Sequence, residues 1–367
     1  MFRSNANDPG VEIPVNHVYM PEYNKVMGRI ARVYASNHVT NNGPELRSLE
    51  IGMSKRLDVG EMAIVANGTL ALQLGIQALG LQGEVIVTPF TYIATATSLV
   101  WQHCKPVFAD IAPNSFNICP EQVRSKITPQ TSGILVTHCF GWPAQIEELE
   151  SIAEAHGLAL IFDAAHAVGS TYNGHSVFQF GDLSAVSFHA TKIFHMIEGG
   201  GIVTRHRHIL RAVKELRNFG HQGETEFGLV GINAKNSEFH AAVGNCMLED
   251  LDGLLHHRRK QVQLYWQNLS SARLMLLDPY NLDWNCSYAP IVLENEEACL
   301  RVRSALQKEK IFPRRYFYPA LNKVHGWSED HCPEAEMRAS SVLCLPLFHM
   351  LSDQQIDDVC QIVLEAC

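Results

Sequence analysis

The sequence predicts an α/β protein whose larger part is a mostly parallel β-sheet covered by helices on both faces. Between residues 83 and 169, short apolar runs rich in β-branched residues alternate with segments of helical pattern. The runs GEVIVTPF and LALIFDAAHAVG are apolar almost throughout. This is typical of strands that are buried on both faces, as in a parallel sheet.

The chain before this region contains a loop-rich segment and a buried helix. Residues 1–45 are rich in loop formers, with a helix expected over 22–35 and turn formers in TNNGP at 40–44. Residues 65–83 are strong helix formers, apolar nearly all round, and predict a buried helix. Gly68 and Thr69 stand at its start, where free N–H groups and a hydroxyl suit a phosphate. A helix cap without a ligand is the alternative.

The alternating region contains four predicted strands and three predicted helices. The strands cover 83–90, 106–111, 132–140 and 158–169, and the helices cover 91–104, 121–127 and 145–157. Ligands of such sheets bind beyond the carboxyl ends of the strands. Tyr92, Thr137, His138 and Asp163 follow or end these strands, so we expect the site there.

Beyond residue 204 the pattern no longer predicts a parallel sheet. A helix is expected to end near Gly220, a loop follows at GINAKN, and a long helix begins at about Ser237. Short strands and helices are mixed over 275–367. We therefore expect a large domain of residues 1–246 and a small C-terminal α/β domain of residues 247–367.

Composition narrows the classes of function. Of 367 residues, 46% are hydrophobic and 18% are charged, ordinary values for a globular protein. No apolar run approaches the ~20 residues of a membrane helix, and the N-terminus does not read as a signal peptide. The net charge of −9 has no long block of one sign, which argues against nucleic acid. We expect a cytoplasmic protein that binds neither membrane nor nucleic acid.

Ten cysteines and 18 histidines raise the question of metal binding. The cysteines are scattered and include no CxxC pair, and the local histidine pairs lack partners in register. We expect reduced thiols and no metal site.

Asp163 ends one of the most apolar runs, LALIF. A carboxylate at such a position costs several kcal/mol unless it is paired. A helix cap or a structural salt bridge would satisfy it. The functional interpretation is a carboxylate that keeps a bound heterocyclic nitrogen protonated.

Lys192 lies 29 residues later, in SFHATKIF, where a predicted strand ends and a turn begins. The turn is flanked by Phe188, Ile193 and Phe194. Desolvation lowers the pKa of a lysine and makes its amine a nucleophile. Such lysines form Schiff bases with carbonyl compounds, including pyridoxal phosphate. A structural lysine beside aromatic residues is the alternative on this segment alone.

Through Asp163, Lys192 and their neighbouring residues, the chain resembles the DegT/DnrJ/EryC1/StrS family of pyridoxal-phosphate sugar aminotransferases. The resemblance covers essentially the whole chain and includes NGTLALQLGIQALGLQGEVIVTPFTYIATATSLVW, GLALIFDAAHAVGSTYNG, GDLSAVSFHATK, GINAKNSEFHAAVG and RRYFYPAL. It implies an aspartate-aminotransferase-like fold (fold type I) with pyridoxal 5'-phosphate as cofactor.

The resemblance also implies roles for individual residues. Lys192 would hold the cofactor covalently and act in catalysis with Asp163, which would pair with the pyridine nitrogen. Tyr92 would stack on the ring. His166 occupies the position beside the ring where the family has Gln or His.

Other positions are implied to bind the phosphate. They are Gly68, Thr69 and Ser187 of the same chain and Asn233 from the neighbouring subunit, which makes the expected unit a homodimer with active sites at the interface. Lys235, two residues further, departs from the arginine that is commoner in the family.

The resemblance implies transfer of the amino group of L-glutamate to a keto-sugar nucleotide. The SFHATK…EGG pattern resembles the branch that aminates C4, so the expected acceptor is dTDP-4-keto-6-deoxyglucose, with His189, Arg315 and Tyr316 contacting the substrate. UDP-linked and 3-keto sugars are alternatives. A different pyridoxal enzyme, such as an aldolase or desulfurase, and a non-catalytic pyridoxal-binding regulator are further alternatives.

Overall fold

The computed structural model describes residues 12–272, 274–324, 326–327 and 330–367. The first eleven residues of the predicted loop-rich segment lie outside this part. The strands are β1 (Ile13–Pro14), β2 (Met62–Val65), β3 (Glu84–Val87), β4 (Lys105–Phe108), β5 (Thr131–Thr137), β6 (Ala159–Asp163), β7 (Thr171–Tyr172), β8 (His175–Ser176), β9 (Leu183–Ser187), β10 (Gly200–Val203), β11 (Met275–Leu276), β12 (Pro290–Val292), β13 (Ile311–Phe312) and β14 (Val342–Cys344).

The α-helices alternate with these strands in the first half of the chain and dominate the second half. They are α1 (Tyr23–Ser36), α2 (Pro44–Arg56), α3 (Gly68–Ala78), α4 (Ile93–Trp101), α5 (Pro120–Ser125), α6 (Ile146–His156), α7 (Arg207–Leu216), α8 (Glu238–Leu269), α9 (Glu296–Lys308), α10 (Pro333–Ser341) and α11 (Asp353–Ala366). Among the described residues, no helix is both long enough and apolar enough to cross a lipid bilayer.

A seven-stranded sheet in the order β2-β10-β9-β6-β5-β3-β4 forms the centre of the larger part. The pairs among β9, β6, β5, β3 and β4 are parallel, whereas β10 runs antiparallel to both of its neighbours. The prediction of a mostly parallel sheet in an α/β fold is therefore confirmed.

Helices cover both faces of this sheet. In β2, Ala63 and Val65 contact one apolar cluster, while Met62 and Ile64 contact a second cluster on the opposite face. Because side chains alternate along a strand, a strand buried on both sides must be apolar at every position. This explains the continuous apolar runs in the sequence.

The second half of the chain forms a smaller antiparallel sheet in the order β11-β12-β14, covered by helices. The N-terminal strand β1 pairs in parallel with β13 of this half. The predicted boundary between residues 246 and 247 falls within α8, a continuous helix of 32 residues. The division into two domains stays a prediction.

Helix α8 contacts both halves of the molecule. Ser237 caps it, as the sequence predicts, by accepting a hydrogen bond from the His240 N–H at 3.3 Å. Glu238 in its first turn accepts hydrogen bonds from the N–H groups of Glu45 and Leu46 at the start of α2, at 2.7 and 3.1 Å. Its later turns pack against α11.

Candidate active site

A cavity of about 1110 Å³ opens at the carboxyl ends of the parallel strands. The sequence-predicted residues that line it are Gly68, Thr69, Tyr92, Asp163, His166, Ser187, His189, Lys192 and Tyr316. The predicted residues Asn233 and Arg315 are not among its lining. The fold thus brings together residues that are more than 200 positions apart in the chain.

One end of the cavity is the start of α3. Asn67 caps this helix by accepting a hydrogen bond from the Leu70 N–H at 2.9 Å, which leaves Gly68 and Thr69 as the first helical residues. Gly68 lies against Ser187 at the end of β9, and a Cβ added to Gly68 would come within 2.9 Å of the Ser187 Cβ. Glycine therefore allows the helix start and the serine to lie side by side, an arrangement that suits a phosphate.

Asp163 lies at the end of β6, deeper in the cavity, and is 6% exposed. Its Oδ2 accepts a hydrogen bond from the Thr95 hydroxyl at 2.7 Å, and its Oδ1 accepts one from the Ala165 N–H at 3.1 Å. Burial raises the pKa of this carboxyl, while the two hydrogen bonds and the charge of Lys192 favour the ionised form. The side chain is thus a fixed acceptor that a positively charged ligand group would stabilise.

Lys192 follows β9 in a turn closed by a hydrogen bond from its N–H to the His189 carbonyl at 2.9 Å. Its amine faces the cavity and lies 3.4 Å from the hydroxyl of Tyr288. Burial lowers the pKa of Lys192 to about 8, with the charge of Asp163 acting in the opposite direction. An amine with this pKa is available as a base and nucleophile near neutral pH.

His166 is buried between two aromatic rings. It stacks on Phe317 at a centroid distance of 5.8 Å and meets the edge of Tyr288 at 4.9 Å. Its Nδ1 is buried and has no hydrogen-bond partner among the described residues. Burial, assisted by the charge of Lys192, holds its pKa well below the ordinary value, so the ring is neutral. An unpaired nitrogen at this position is consistent with a bound group that supplies the partner.

Tyr92, His189 and Tyr316 lie around the open side of the cavity. Tyr92 immediately precedes α4 and is 59% exposed. The Nδ1 of His189 lies 2.8 Å from the Thr191 hydroxyl, and its Nε2 lies 3.6 Å from the Glu198 carboxylate. His189 and Tyr316 therefore line space for a larger substrate. Stacking of Tyr92 on the cofactor ring stays a prediction.

Arg315 is held away from the cavity. Its guanidinium donates to Glu296 and to the Ser340 carbonyl, each at 2.8 Å, and lies 3.5 Å from the centroid of the Tyr318 ring. Arg314, its neighbour, is exposed and lines the cavity instead. Sequence reasoning missed Arg314, because adjacent residues of an extended segment point to opposite sides and sequence does not say which faces the ligand.

Tyr288 and Thr95 were also missed. Tyr288 comes from the small sheet region, 96 residues after Lys192, and no local pattern links the two. Thr95 lies three residues after Tyr92 on the first turn of α4. Helix α4 also contains Thr97 and Ser98, so sequence alone did not single out Thr95.

Asn233 is exposed and pairs through its backbone with Asn218, at the base of the loop that follows α7. It does not reach the cavity of its own chain. A role in phosphate binding from a neighbouring subunit stays a prediction.

The residues present fit pyridoxal 5'-phosphate chemically. The start of α3 with Ser187 suits the phosphate, the carboxylate of Asp163 suits a protonated pyridine nitrogen, and the amine of Lys192 suits the aldehyde carbon. These three features lie in one cavity without any rearrangement of the chain.

Comparison with known proteins finds relatives that match nearly the whole chain. A Shigella dysenteriae protein named dTDP-4-amino-4,6-dideoxy-D-glucose transaminase is 36% identical over 355 residues, covering 94% of this chain and 96% of its own. An Escherichia coli protein of the same name is 32% identical and covers 96% of this chain and 98% of its own. The crystal structure of DesI in the presence of its TDP-sugar product is 31% identical, with a TM-score of 0.92, and covers 99% of this chain and 94% of that one.

The sequence profile of one family matches residues 22–364. Similar folds include a Streptococcus pneumoniae sugar aminotransferase described in its PLP form, with a TM-score of 0.89 and 21% identity. The cofactor is pyridoxal 5'-phosphate. Because the profile and the relatives both match nearly the full length, the chain belongs to the DegT/DnrJ/EryC1/StrS aminotransferase family.

Proposed function

We propose that this enzyme transfers the amino group of L-glutamate to C4 of dTDP-4-keto-6-deoxyglucose, for the biosynthesis of a deoxyamino sugar. The observation that carries the proposal is the meeting of Asp163, Lys192 and the start of α3 in one cavity of about 1110 Å³. The names of the two relatives and the TDP-sugar product of DesI support the choice of acceptor.

Bound pyridoxal phosphate supplies an electron sink for the electron pair that is released when a proton leaves the carbon next to the amino nitrogen. Asp163 maintains this capacity, because its carboxylate favours the protonated form of a ring nitrogen placed against it. The hydrogen bonds from Thr95 and Ala165 hold the carboxylate in one orientation.

Lys192 has two tasks in this proposal. It would hold the cofactor, and its amine would move a proton to and from the substrate carbon. A pKa of about 8 suits both directions of transfer near neutral pH. Tyr288, whose hydroxyl lies 3.4 Å from the amine, positions it within the cavity.

The outer part of the cavity would bind the sugar nucleotide. Arg314 is a cation at the exposed side, next to Tyr316 and opposite His189. A diphosphate requires positive charge, and an aromatic side chain suits a sugar or base face. We assign the diphosphate to Arg314, whereas the predicted Arg315 is engaged by Glu296.

The proposal includes a homodimer in which Asn233 of one subunit reaches the phosphate of the other. The loop that carries Asn233 exposes large apolar side chains, namely Phe219, Phe227, Leu229, Val230 and Ile232. Trp101, which lines the cavity, is 74% exposed. A partner subunit that covers these side chains would remove apolar area from water.

Mixing two inactive variants tests the shared site. Lys192→Ala removes the lysine, and Asn233→Asp places a negative charge against the phosphate. If the site is shared, mixed dimers contain one intact site, and unfolding and refolding the two variants together restores about a quarter of wild-type activity. A mixture that stays inactive while forming dimers would contradict the assignment of Asn233.

UDP-linked and 3-keto sugars are the alternative acceptors. The cofactor end of the cavity does not separate them from dTDP-4-keto-6-deoxyglucose, because each would react with the same cofactor. The expected cytoplasmic location also stays a prediction.

The deciding experiment is the visible spectrum of the purified holoenzyme during titration with L-glutamate. We expect the band of bound pyridoxal phosphate to convert to that of pyridoxamine phosphate. Keto-sugar nucleotides are then ranked by how fast they restore the first band, with dTDP-4-keto-6-deoxyglucose expected to be fastest. A band that L-glutamate leaves unchanged would refute the proposed donor.

A further inference from the structure

Arg258 is a buried cation within the cavity that the proposed mechanism does not use. It lies on α8, is 9% exposed, and lines the same cavity as Lys192. Burial lowers its pKa to about 10, so it is charged at neutral pH. Among the described residues, no carboxylate forms an ion pair with it or contributes to its pKa. A buried charge without a counter-ion is costly, and a ligand of opposite charge would offset the cost.

The hydrogen bonds of Arg258 do not explain why the side chain is charged. It donates to the carbonyl of Leu347, in the loop that precedes α11. Along the same face of α8, Gln261 donates to the carbonyls of Phe348 and Leu351 at 2.8 and 2.9 Å. Tyr265 donates to the Pro346 carbonyl at 2.8 Å. Neutral donors thus suffice to hold this loop, and only Arg258 of the three lines the cavity.

Within the part of the chain that the structure describes, the groups that act electrostatically on His349 include Arg258 and no carboxylate. The charge of Arg258, together with His17 and His257, adds to burial in lowering the pKa of His349 to about 4. The Nδ1 of His349 is also buried and has no hydrogen-bond partner among the described residues. His349 is therefore neutral, and no described carboxylate beside it offsets the charge of Arg258.

Arg258 and the reacting amine of Lys192 line the same cavity. The Tyr288 hydroxyl is 3.4 Å from the amine of Lys192, and the charge of Arg258 acts on the same hydroxyl by favouring its ionised form. Tyr288 thus interacts with both the lysine and the arginine. The α-carboxylate of an amino acid is two bonds from the nitrogen that takes the place of the lysine amine, so it must lie within a few ångströms of that amine.

We infer that Arg258 binds the α-carboxylate of the amino donor and is a specificity-determining residue for α-amino acids. The inference deepens the proposed function and rests on it. The diphosphate of a sugar nucleotide is separated from C4 by the sugar ring, and it belongs at the exposed Arg314. The buried Arg258 beside Tyr288 is placed for the smaller group on the reacting carbon.

The test compares Arg258→Gln with Gln261→Leu, both as holoenzymes. Arg258→Gln keeps a donor for the Leu347 carbonyl but removes the charge, whereas Gln261→Leu loosens the same loop one turn away without changing the cavity. We expect Arg258→Gln to raise the half-saturating L-glutamate concentration about 10- to 100-fold. Gln261→Leu should leave it unchanged, and Arg258→Lys should recover part of the loss.

Binding without turnover is measured with α-methyl-L-glutamate, which keeps the α-carboxylate but lacks the hydrogen that transamination removes. Calorimetry should show the same loss of affinity in Arg258→Gln. γ-Aminobutyrate, which has no α-carboxylate, should react equally with wild type and variant. In Arg258→Gln, the half-saturating concentration of the keto-sugar nucleotide in its own half-reaction should equal that of wild type.

Three results would overturn the inference. They are an unchanged L-glutamate response in folded Arg258→Gln, an equal loss in Gln261→Leu, or a loss confined to the sugar nucleotide. If L-glutamate is not the donor, the wild-type enzyme will not react with it. This result is distinguishable from failure of the inference, which concerns the variants. The variants are then compared on whichever α-amino acid does react, and absence of any such reaction would overturn both proposals.

Discussion

The inner and outer sides of the cavity are built differently. Asp163 and His166 on the inner side are buried and fixed by hydrogen bonds or stacked rings at the ends of sheet strands. Arg314 and Tyr92 on the outer side are exposed and stand on connecting segments. The inner side sets charge and proton affinity, which need burial, and the outer side contacts a ligand that must enter and leave.

The reaction chemistry and the selectivity for the acceptor depend on different sides of the cavity. Asp163, His166 and Lys192 each have a pKa moved by burial. For Asp163, at the end of β6, a shift by one residue would also place the side chain on the opposite face of the sheet. The outer residues carry no comparable constraint. Substitutions on the inner side should therefore alter the rate of chemistry, and those on the outer side should alter the affinity for the acceptor.

The largest effect is expected at Lys192. Lys192→Ala removes the only amine in the cavity among its described lining residues and should reduce the glutamate half-reaction by more than about 10³-fold. Stopped-flow absorbance measures it. Lys214→Ala, at a surface ion pair with Glu61, is the control and should react like wild type.

Asp163 should rank next. Asp163→Asn keeps the size of the side chain but removes the charge that favours a protonated ring nitrogen, and the half-reaction should slow by about 10²-fold. The control is Asp182→Asn, which changes a carboxylate at the amino ends of the strands. Asp182 accepts a hydrogen bond from the Leu160 N–H at 2.9 Å. A similar loss in both variants would mean that general damage to the sheet, and not charge in the cavity, is responsible.

The outer side should show a smaller effect of another kind. Arg314→Ala should raise KM for the sugar nucleotide about tenfold and leave the glutamate half-reaction unchanged. Arg315→Ala, one residue away, should lower the melting temperature through loss of its bonds to Glu296 and Ser340, without changing KM. The reverse pattern in steady-state kinetics would restore the sequence-based assignment of Arg315.

The smallest effect concerns pH. The Thr95 hydroxyl stabilises the ionised form of Asp163, so Thr95→Val should raise the pKa of that carboxyl. The acid side of the pH–rate profile should then move to higher pH by roughly one pH unit, with little change at the alkaline side. Thr97→Val removes a hydroxyl bonded to the Ile93 carbonyl on the same helix and should leave the profile in place.

Sequence predicted the inner side better than the outer side, for a physical reason. Asp163 and Lys192 interrupt apolar runs, and a charge in an apolar run requires an explanation. The start of α3 was predicted from helix-capping residues, and the start of α8 at Ser237 was predicted within one residue. These signals are local, and the sheet then brings them together.

The outer side depends on contacts that no local pattern records. Helix α2, helix α10 and strand β2 were not predicted, and β2 has only four residues. Tyr288 and Arg258 reach the cavity from the small sheet region and from the middle of a long helix. Their sequence neighbours give no sign of it, because the contact exists only after the two halves of the chain pack together.

The pairing of β1 with β13 has a consequence for the order of synthesis. Pro14 of β1 and Phe312 of β13 both line the cavity, and the two strands are joined at Ile13 with Ile311 and at Pro14 with Phe312. A ribosome adds about 5–20 residues per second, so the partner of β1 emerges roughly 15–60 s after β1 itself. Strand β1 must therefore wait for β13, and the nascent enzyme cannot close its binding site until β13 has been synthesised.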